Sequence, residues 1–250
     1  MRTLEEIAST YETDKTQSMG YIENYEDYFG RLRDKPVRLL EIGVLQGGSL
    51  LTWREYFPEG LTVGLDLSPC PFEDMPDRVK FYQGSQDDTA LLERIATECA
   101  PDGFDIIIDD AAHIGSLSRA SFHALFERHL KPGGIYVVED WGTGYWESWP
   151  DGAAYPAGPA QQPDNRAKAT FMERVAARLF GKPPVPASVD PNFSQHNFGM
   201  VGFVKELVDE VGWLDIVHPE RGNRSLASHS PLIRSMHVFA GQVFLRKSER

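Results

Sequence analysis

Along residues 1–141 the hydrophobic and polar positions fall into short apolar runs separated by longer amphipathic stretches. Residues 2–11 and 21–33 read as two short helices joined by the polar turn ETDKTQSMG. The run VRLLEIGV (37–44) is almost wholly apolar, as expected of a strand buried on both faces of a parallel sheet. Further strands are expected at 61–68, 79–85, 104–111 and 133–141, with helices at 49–56, 88–100 and 117–130 between them. This alternation implies right-handed crossovers and an α/β fold, a Rossmann-like doubly wound sheet with helices on both faces. The last segment, SMHVFAGQVFLRK (235–247), reads as a hairpin around Ala240 and Gly241, an antiparallel addition to a mostly parallel sheet.

The pattern breaks after Trp141. Residues 142–166 are rich in Gly, Pro, Ala and Trp and show no helical or strand period, which suggests a lid, a binding loop or a disordered segment. A helix is expected at 171–180, and 201–213 mixes helix and strand signals. The whole reads as one domain. Residues 1–36 form its N-terminal helices, 37–141 a ligand-binding core, 142–200 an acceptor loop and 201–250 the end of the sheet.

Composition narrows the function classes. A formal net charge of -12 argues against nucleic acid as a partner, because phosphates require a basic surface. No apolar run reaches the roughly 20 residues that span a bilayer, and the N-terminus lacks the apolar stretch of a secretory signal, so neither a membrane nor export is expected. Cys70 and Cys99 form no CxxC pair and do not suggest zinc. A cytoplasmic location is the default.

In doubly wound sheets ligands bind at the carboxyl ends of the strands. Six acids fall there: Glu41, Asp66, Asp109, Asp110, Glu139 and Asp140. The segment E-I-G-V-L-Q-G-G-S follows the first strand, and Gly43, Gly47 and Ser49 would shape a tight turn close to a ligand. This differs from the GxGxxG fingerprint of nicotinamide enzymes. Glu41 would repel a pyrophosphate and attract an ammonium, so the ligand expected is an amino-acid-bearing nucleoside. Asp66 is placed to accept hydrogen bonds from ribose hydroxyls. Ser85, Gln86 and Asp87, after Gly84, would hold the adenine edge. Taken singly, each acid could equally cap a helix or sit in a solvated turn.

Asp109 and Asp110 end one strand, Glu139 and Asp140 the next, and four adjacent carboxylates require a counter-charge. A hard divalent cation, magnesium or else manganese or calcium, suits oxygen ligands. His113 follows Asp110 by three residues, and its imidazole could serve as a general base.

The ordered series E-x-G-x-x-x-G, LDLS, GSQDD, FDIIIDD and LKPGGIYVVED resembles the class I S-adenosylmethionine-dependent methyltransferases over about residues 37–141, and loosely over 235–247. The D-D-x-x-H and E-D pairs, with the N-terminal YETDKTQSMGYIENYEDYF, are similar to the metal-dependent sugar O-methyltransferases of antibiotic biosynthesis, the macrocin and mycinamicin type. That resemblance implies S-adenosyl-L-methionine and Mg2+ as cofactors. It implies Asp110, Glu139 and Asp140 as metal ligands, His113 with Asp110 as the catalytic pair, and Asp109 among the cofactor-site residues. The acceptor implied is a sugar hydroxyl of a glycosylated antibiotic or polyketide. The macrolide enzymes carry a long additional N-terminal domain with no counterpart here. A non-sugar hydroxyl is the alternative acceptor, and a nicotinamide-dependent oxidoreductase the alternative class. The aromatic residues Trp141, Tyr145, Trp146, Trp149 and Tyr155 could form an acceptor surface. The N-terminal helices have no evident place in the core, which suggests a homo-oligomer, a dimer or tetramer. Thr13, Asp14, Lys15 and Tyr21 could close over the cofactor or line the acceptor site.

Overall fold

The computed structural model describes residues 2–18, 20–155, 197–216 and 232–249. The N-terminal segment forms α1 (Leu4–Thr10) and α2 (Tyr21–Phe29), with a 3-10 turn, Asp14–Thr16, between them. Five strands follow in the expected order: β1 (Arg38–Ile42), β2 (Leu61–Asp66), β3 (Val79–Gln83), β4 (Phe104–Asp109) and β5 (Leu130–Glu139). They are parallel. The helices are α3 (Gly48–Tyr56), α4 (Thr89–Cys99) and α5 (Gly115–His129). Beyond β5 come α6 (Pro150–Ala154), α7 (Gly199–Ile216) and the hairpin β6 (Ile233–Val238) and β7 (Gln242–Lys247). The seven strands run in the order β3-β2-β1-β4-β5-β7-β6. β7 lies antiparallel beside β5. The direction of winding reverses between β1 and β4, and a crevice opens at that point.

Side chains of a strand alternate between faces, and here the alternation sorts the acids. Leu40, Ile42, Ile107 and Val138 face a core shared with α4, α5 and α7. Leu39, Ile106, Ile108, Ile135 and Val137 face the other way, onto Trp53, Tyr56 and the N-terminal helices. Glu41, Asp110 and Glu139 stand in the second series, so all three reach toward the N-terminal segment.

Three readings change. The N-terminal helices do have a place in the core: Leu4, Ile7, Tyr25 and Phe29 are essentially inaccessible, and the Tyr25 and Phe29 rings lie 5.0 Å and 5.7 Å from Trp53. An apolar face spent in this way gives no reason to expect a subunit interface there. Residues 142–166 are not wholly irregular, because Trp141–Tyr145 makes a 3-10 turn and α6 follows. The mixed segment 201–213 is helical, and Met200, Phe203, Val204 and Leu207 bury a stripe at helical spacing. The helix expected at 171–180 lies outside the described residues.

Asp151 explains why the short α6 is held in place. Its carboxylate is buried and accepts the backbone N–H groups of Gly115, at 2.7 Å, and Met200, at 2.6 Å. These are the first turns of α5 and α7, where helix ends leave N–H groups unpaired and attract negative charge. The two helix starts also meet closely: a Cβ at Gly115 would lie 2.1 Å from the Gly199 carbonyl carbon. Asp151→Ala should lower the unfolding free energy by about 2–3 kcal/mol, as expected for hydrogen bonds to a charged acceptor. A fall in the urea midpoint at constant slope would show it; an unmoved midpoint would mean that Asp151 carries no such load.

Candidate cofactor and metal site

A cavity of about 530 Å3 opens at the carboxyl ends of β1 to β4. Of the residues singled out in the sequence, Gly43, Ser49, Asp66, Ser85, Gln86, Asp110, His113 and Asp140 line it. Asp66 is fixed by the glycine loop itself, accepting N–H bonds from Val44 at 2.7 Å and Leu45 at 3.0 Å, and from Ser68 at 2.7 Å. Burial raises its pKa, but these donors outweigh burial and hold it below the usual carboxylate value. Gly43 has φ +91, and a Cβ there would lie 2.1 Å from the Asp110 carbonyl oxygen, so only glycine lets the loop approach β4 so closely.

Asp14 also lines the cavity, whereas Gly47, Asp87, Asp109 and Glu41 do not. Gly47, at φ +85, starts α3 and packs against Phe72. Asp87 accepts the Ser85 hydroxyl at 2.5 Å and steadies the turn after β3. Asp109 is buried on the α5 face, where it accepts the Gln86 side-chain amide at 3.1 Å and the Ser121 hydroxyl at 2.9 Å. Gln86 in turn accepts the Ala112 N–H at 3.0 Å, so Asp109 acts on the cavity by orienting Gln86. Burial raises the Asp109 pKa, opposed in part by hydrogen bonds from Ser121 and Ser118. Glu41 is also inaccessible; its oxygens take the Ser49 hydroxyl at 2.6 Å and the Trp53 indole N–H at 3.2 Å.

The acidic group is arranged otherwise than the sequence suggests. Asp109 faces away from it, and a cation of the chain stands at its centre. The Lys15 ammonium, 2% exposed, lies 2.5 Å from Asp110 Oδ2, 2.9 Å from Glu139 Oε2 and 3.5 Å from Glu41 Oε1. Burial alone would favour the neutral amine, but the three carboxylates prevail and push its pKa well above the ordinary lysine value. Two tyrosines of α2 complete the shell. Tyr25 donates to Glu139, and Tyr21 donates to Asp140 Oδ1 at 2.5 Å. Burial raises the pKa of both phenols, and their acidic acceptors raise it further, so both keep their protons.

Lys15, Tyr21 and Tyr25 thus belong to the site; Lys15 and Tyr21 were expected near the cofactor or acceptor but not paired with the acids, and Tyr25 was not anticipated. The available signal was modest: a lysine in the short turn before a helix with tyrosines four residues apart on one face.

One oxygen of Asp110 and one of Asp140 remain directed at His113. Its Nε2 lies 3.9 Å from Asp110 Oδ1 and 3.6 Å from Asp140 Oδ2. Asp110, His113 and Asp140 each offer a ligand atom, all within 4.8 Å of one another, which suits a metal ion. Glu139 faces Lys15 and Tyr25 instead. His113 and Asp140 have φ of +50 and +51, and Leu45 on the cavity rim has +49. Such backbone is uncommon outside glycine and gathers at functional sites. Of the five aromatic residues considered for an acceptor surface, Trp149 reaches the cavity, with its ring 5.7 Å from His113 and its N–H on the Ala112 carbonyl. Trp141 bonds the Phe239 carbonyl instead, and Trp146 is exposed.

No protein-family model matches the chain. It is 42% identical over 151 residues to mycinamicin VI 2''-O-methyltransferase of Micromonospora griseorubida, covering 57% of the chain and 37% of that protein. Against demethylmacrocin O-methyltransferase of Streptomyces fradiae the identity is 31% over 252 residues, covering 98% and 53%. A solved structure of MycE methyltransferase from the mycinamycin biosynthetic pathway, in complex with Mg, SAH and mycinamycin VI, superposes with a TM-score of 0.68 at 30% identity, over 99% of this chain and 54% of that one. The chain spans from 32% to 53% of the length of the curated relatives it matches. With its parallel sheet, antiparallel terminal hairpin and glycine loop, the chain has the Rossmann-like class I methyltransferase fold, and over the length shared it is homologous to the sugar O-methyltransferases of macrolide and polyketide biosynthesis.

Proposed function

We propose that the chain forms a single methyltransferase domain that uses S-adenosylmethionine and Mg2+ to methylate a sugar hydroxyl of a glycosylated natural product. The observation that carries this reading is the convergence of Asp110, Asp140 and His113 on one wall of a cavity whose other walls are the glycine loop and Asp66. The relatives named above are O-methyltransferases of mycinamicin VI and demethylmacrocin, a further relative is an 8-demethyl-8-alpha-L-rhamnosyl tetracenomycin-C 2'-O-methyltransferase, and the MycE complex holds Mg and SAH beside mycinamycin VI.

The residues fit both groups. A cavity of about 530 Å3 is within the usual range for small-molecule sites. Asp66 would accept the ribose hydroxyls and Ser85 would meet the base, both lining the cavity, and the exposed side chains of Leu45 and Leu67 form an apolar rim. Two convergent carboxylate oxygens suit a hard cation, which Asp110 and Asp140 would hold, with Glu139 supporting Asp110 through their shared lysine. When bound, such a cation would make the acceptor hydroxyl more acidic and stabilise negative charge on its oxygen.

His113 is the residue placed to take the hydroxyl proton, for it stands at the cavity wall with two carboxylates beside its Nε2. Trp149 offers an aromatic face next to His113, suited to the apolar side of a sugar ring. The whole gain expected of the protein is orientation of two reactants and electrostatic support of the attacking oxygen. A non-sugar hydroxyl remains the second reading, because the metal and base chemistry would be the same.

With a glycosylated macrolide as acceptor, EDTA should abolish methyl transfer and excess Mg2+ should restore it; undiminished turnover in the chelator would remove the metal from the reaction. His113→Ala should lower kcat by about 10²–10⁴-fold while S-adenosylhomocysteine still raises the melting temperature. A loss of less than tenfold would show that His113 is not the base.

A further inference from the structure

Two residues of the N-terminal segment treat the two acids in the same way. Asp110 gives its Oδ2 to the Lys15 ammonium, at 2.5 Å, and its Oδ1 faces His113. Asp140 gives its Oδ1 to the Tyr21 hydroxyl, at 2.5 Å, and its Oδ2 faces His113. In each carboxylate one oxygen is occupied and the other is left toward the same point. A carboxylate that turned freely about its terminal bond would present either oxygen there, and a bidentate grip would be as available as a single one.

We propose that Lys15 and Tyr21 are positioning residues for a cation held by Asp110 and Asp140, each holding one carboxylate oxygen so that the other is presented to the ion. This rests on the metal reading above and adds the residues that would set its affinity.

The fold makes room for this contact. At Gly241, with φ +103, a Cβ would lie 2.1 Å from the Tyr21 hydroxyl, so the hairpin turn is a seat that only glycine leaves open. Asn24, on the same helix, bonds Gln242 at 3.0 Å and fixes α2 against the first residue of β7. Since β7 pairs with β5 at Glu139, the helix is registered to the strand that carries the acids. Tyr25, one turn on, donates to Glu139 and holds the neighbouring acid against Lys15. The same segment therefore fixes both sides of the candidate site while contributing no ligand atom to it.

Groups that orient ligands typically change metal affinity by 10–100-fold when removed. The test is Mn2+ binding to the whole chain, followed by loss of the free-ion signal in electron paramagnetic resonance. Tyr21→Phe keeps the ring and its packing, and should weaken Mn2+ binding by at least about tenfold with the melting temperature little changed. Lys15→Arg keeps the charge but cannot place one compact ammonium among three carboxylates, and should weaken binding similarly. Tyr28→Phe, which loses only a contact with His237, should bind Mn2+ as the wild type does. Unchanged affinity in Tyr21→Phe overturns the role of Tyr21, and unchanged affinity in Lys15→Arg overturns that of Lys15. No Mn2+ binding by the wild type would overturn the metal reading and this inference together, whereas binding that both variants retain would overturn the inference alone.

Discussion

The buried ammonium of Lys15 is the contact on which the rest of the site depends. Glu41, Asp110 and Glu139 sit at the ends of three neighbouring strands and face the same way. At about 4 Å, two like charges near a protein surface repel by roughly 4 kcal/mol, and burial removes the water that would relieve them. Lys15 reaches all three. Its removal would leave uncompensated buried charge, the situation that costs most when a buried ion pair is broken. The N-terminal segment thus supplies a cation that offsets the three carboxylates.

This gives the N-terminal helices two roles from one position. Their apolar faces, Leu4, Ile7, Tyr25 and Phe29, cover the second face of the sheet around Trp53. Their polar groups, Lys15, Tyr21 and Tyr25, reach past that core to the acids. Packing and site geometry are thereby linked: the helix that buries Phe29 also holds Tyr21 over Asp140. Tyr25 belongs to both sets, with its ring against Trp53 and its hydroxyl on Glu139.

A second linkage runs through Gln86. Asp109 and Ser121 sit on the α5 face and never touch the cavity, yet Asp109 orients Gln86, which holds the Ala112 backbone beside His113. The chain from α5 to His113 is made of buried hydrogen bonds, which fix geometry well in a low-dielectric setting. The left-handed backbone at His113 lies next to this chain, and that at Asp140 is held by Tyr21 and Thr143 instead.

The alternation of strands and helices over residues 37–141 and the terminal hairpin were legible in the sequence, because burial on both faces of a parallel sheet imposes apolar runs of characteristic length. The glycine loop, Asp66, Gln86, Asp110, His113 and Asp140 were legible as cavity residues for a related reason: the end of a strand in this topology is a fixed address. The same alternation could have shown that Asp109 and Asp110 face opposite sides. What the sequence left open was long-range. Lys15 lies 95 and 124 residues from two of its partners, and no local period records which turn will deliver a cation to which strand end. Asp151 capping two helices, Tyr21 over Asp140 and Trp149 beside His113 are of the same kind. Local pattern is set by each residue's neighbours along the chain and so is written in the sequence; the pairing of charges across the sheet depends on how the layers close, and only the tertiary structure decided it.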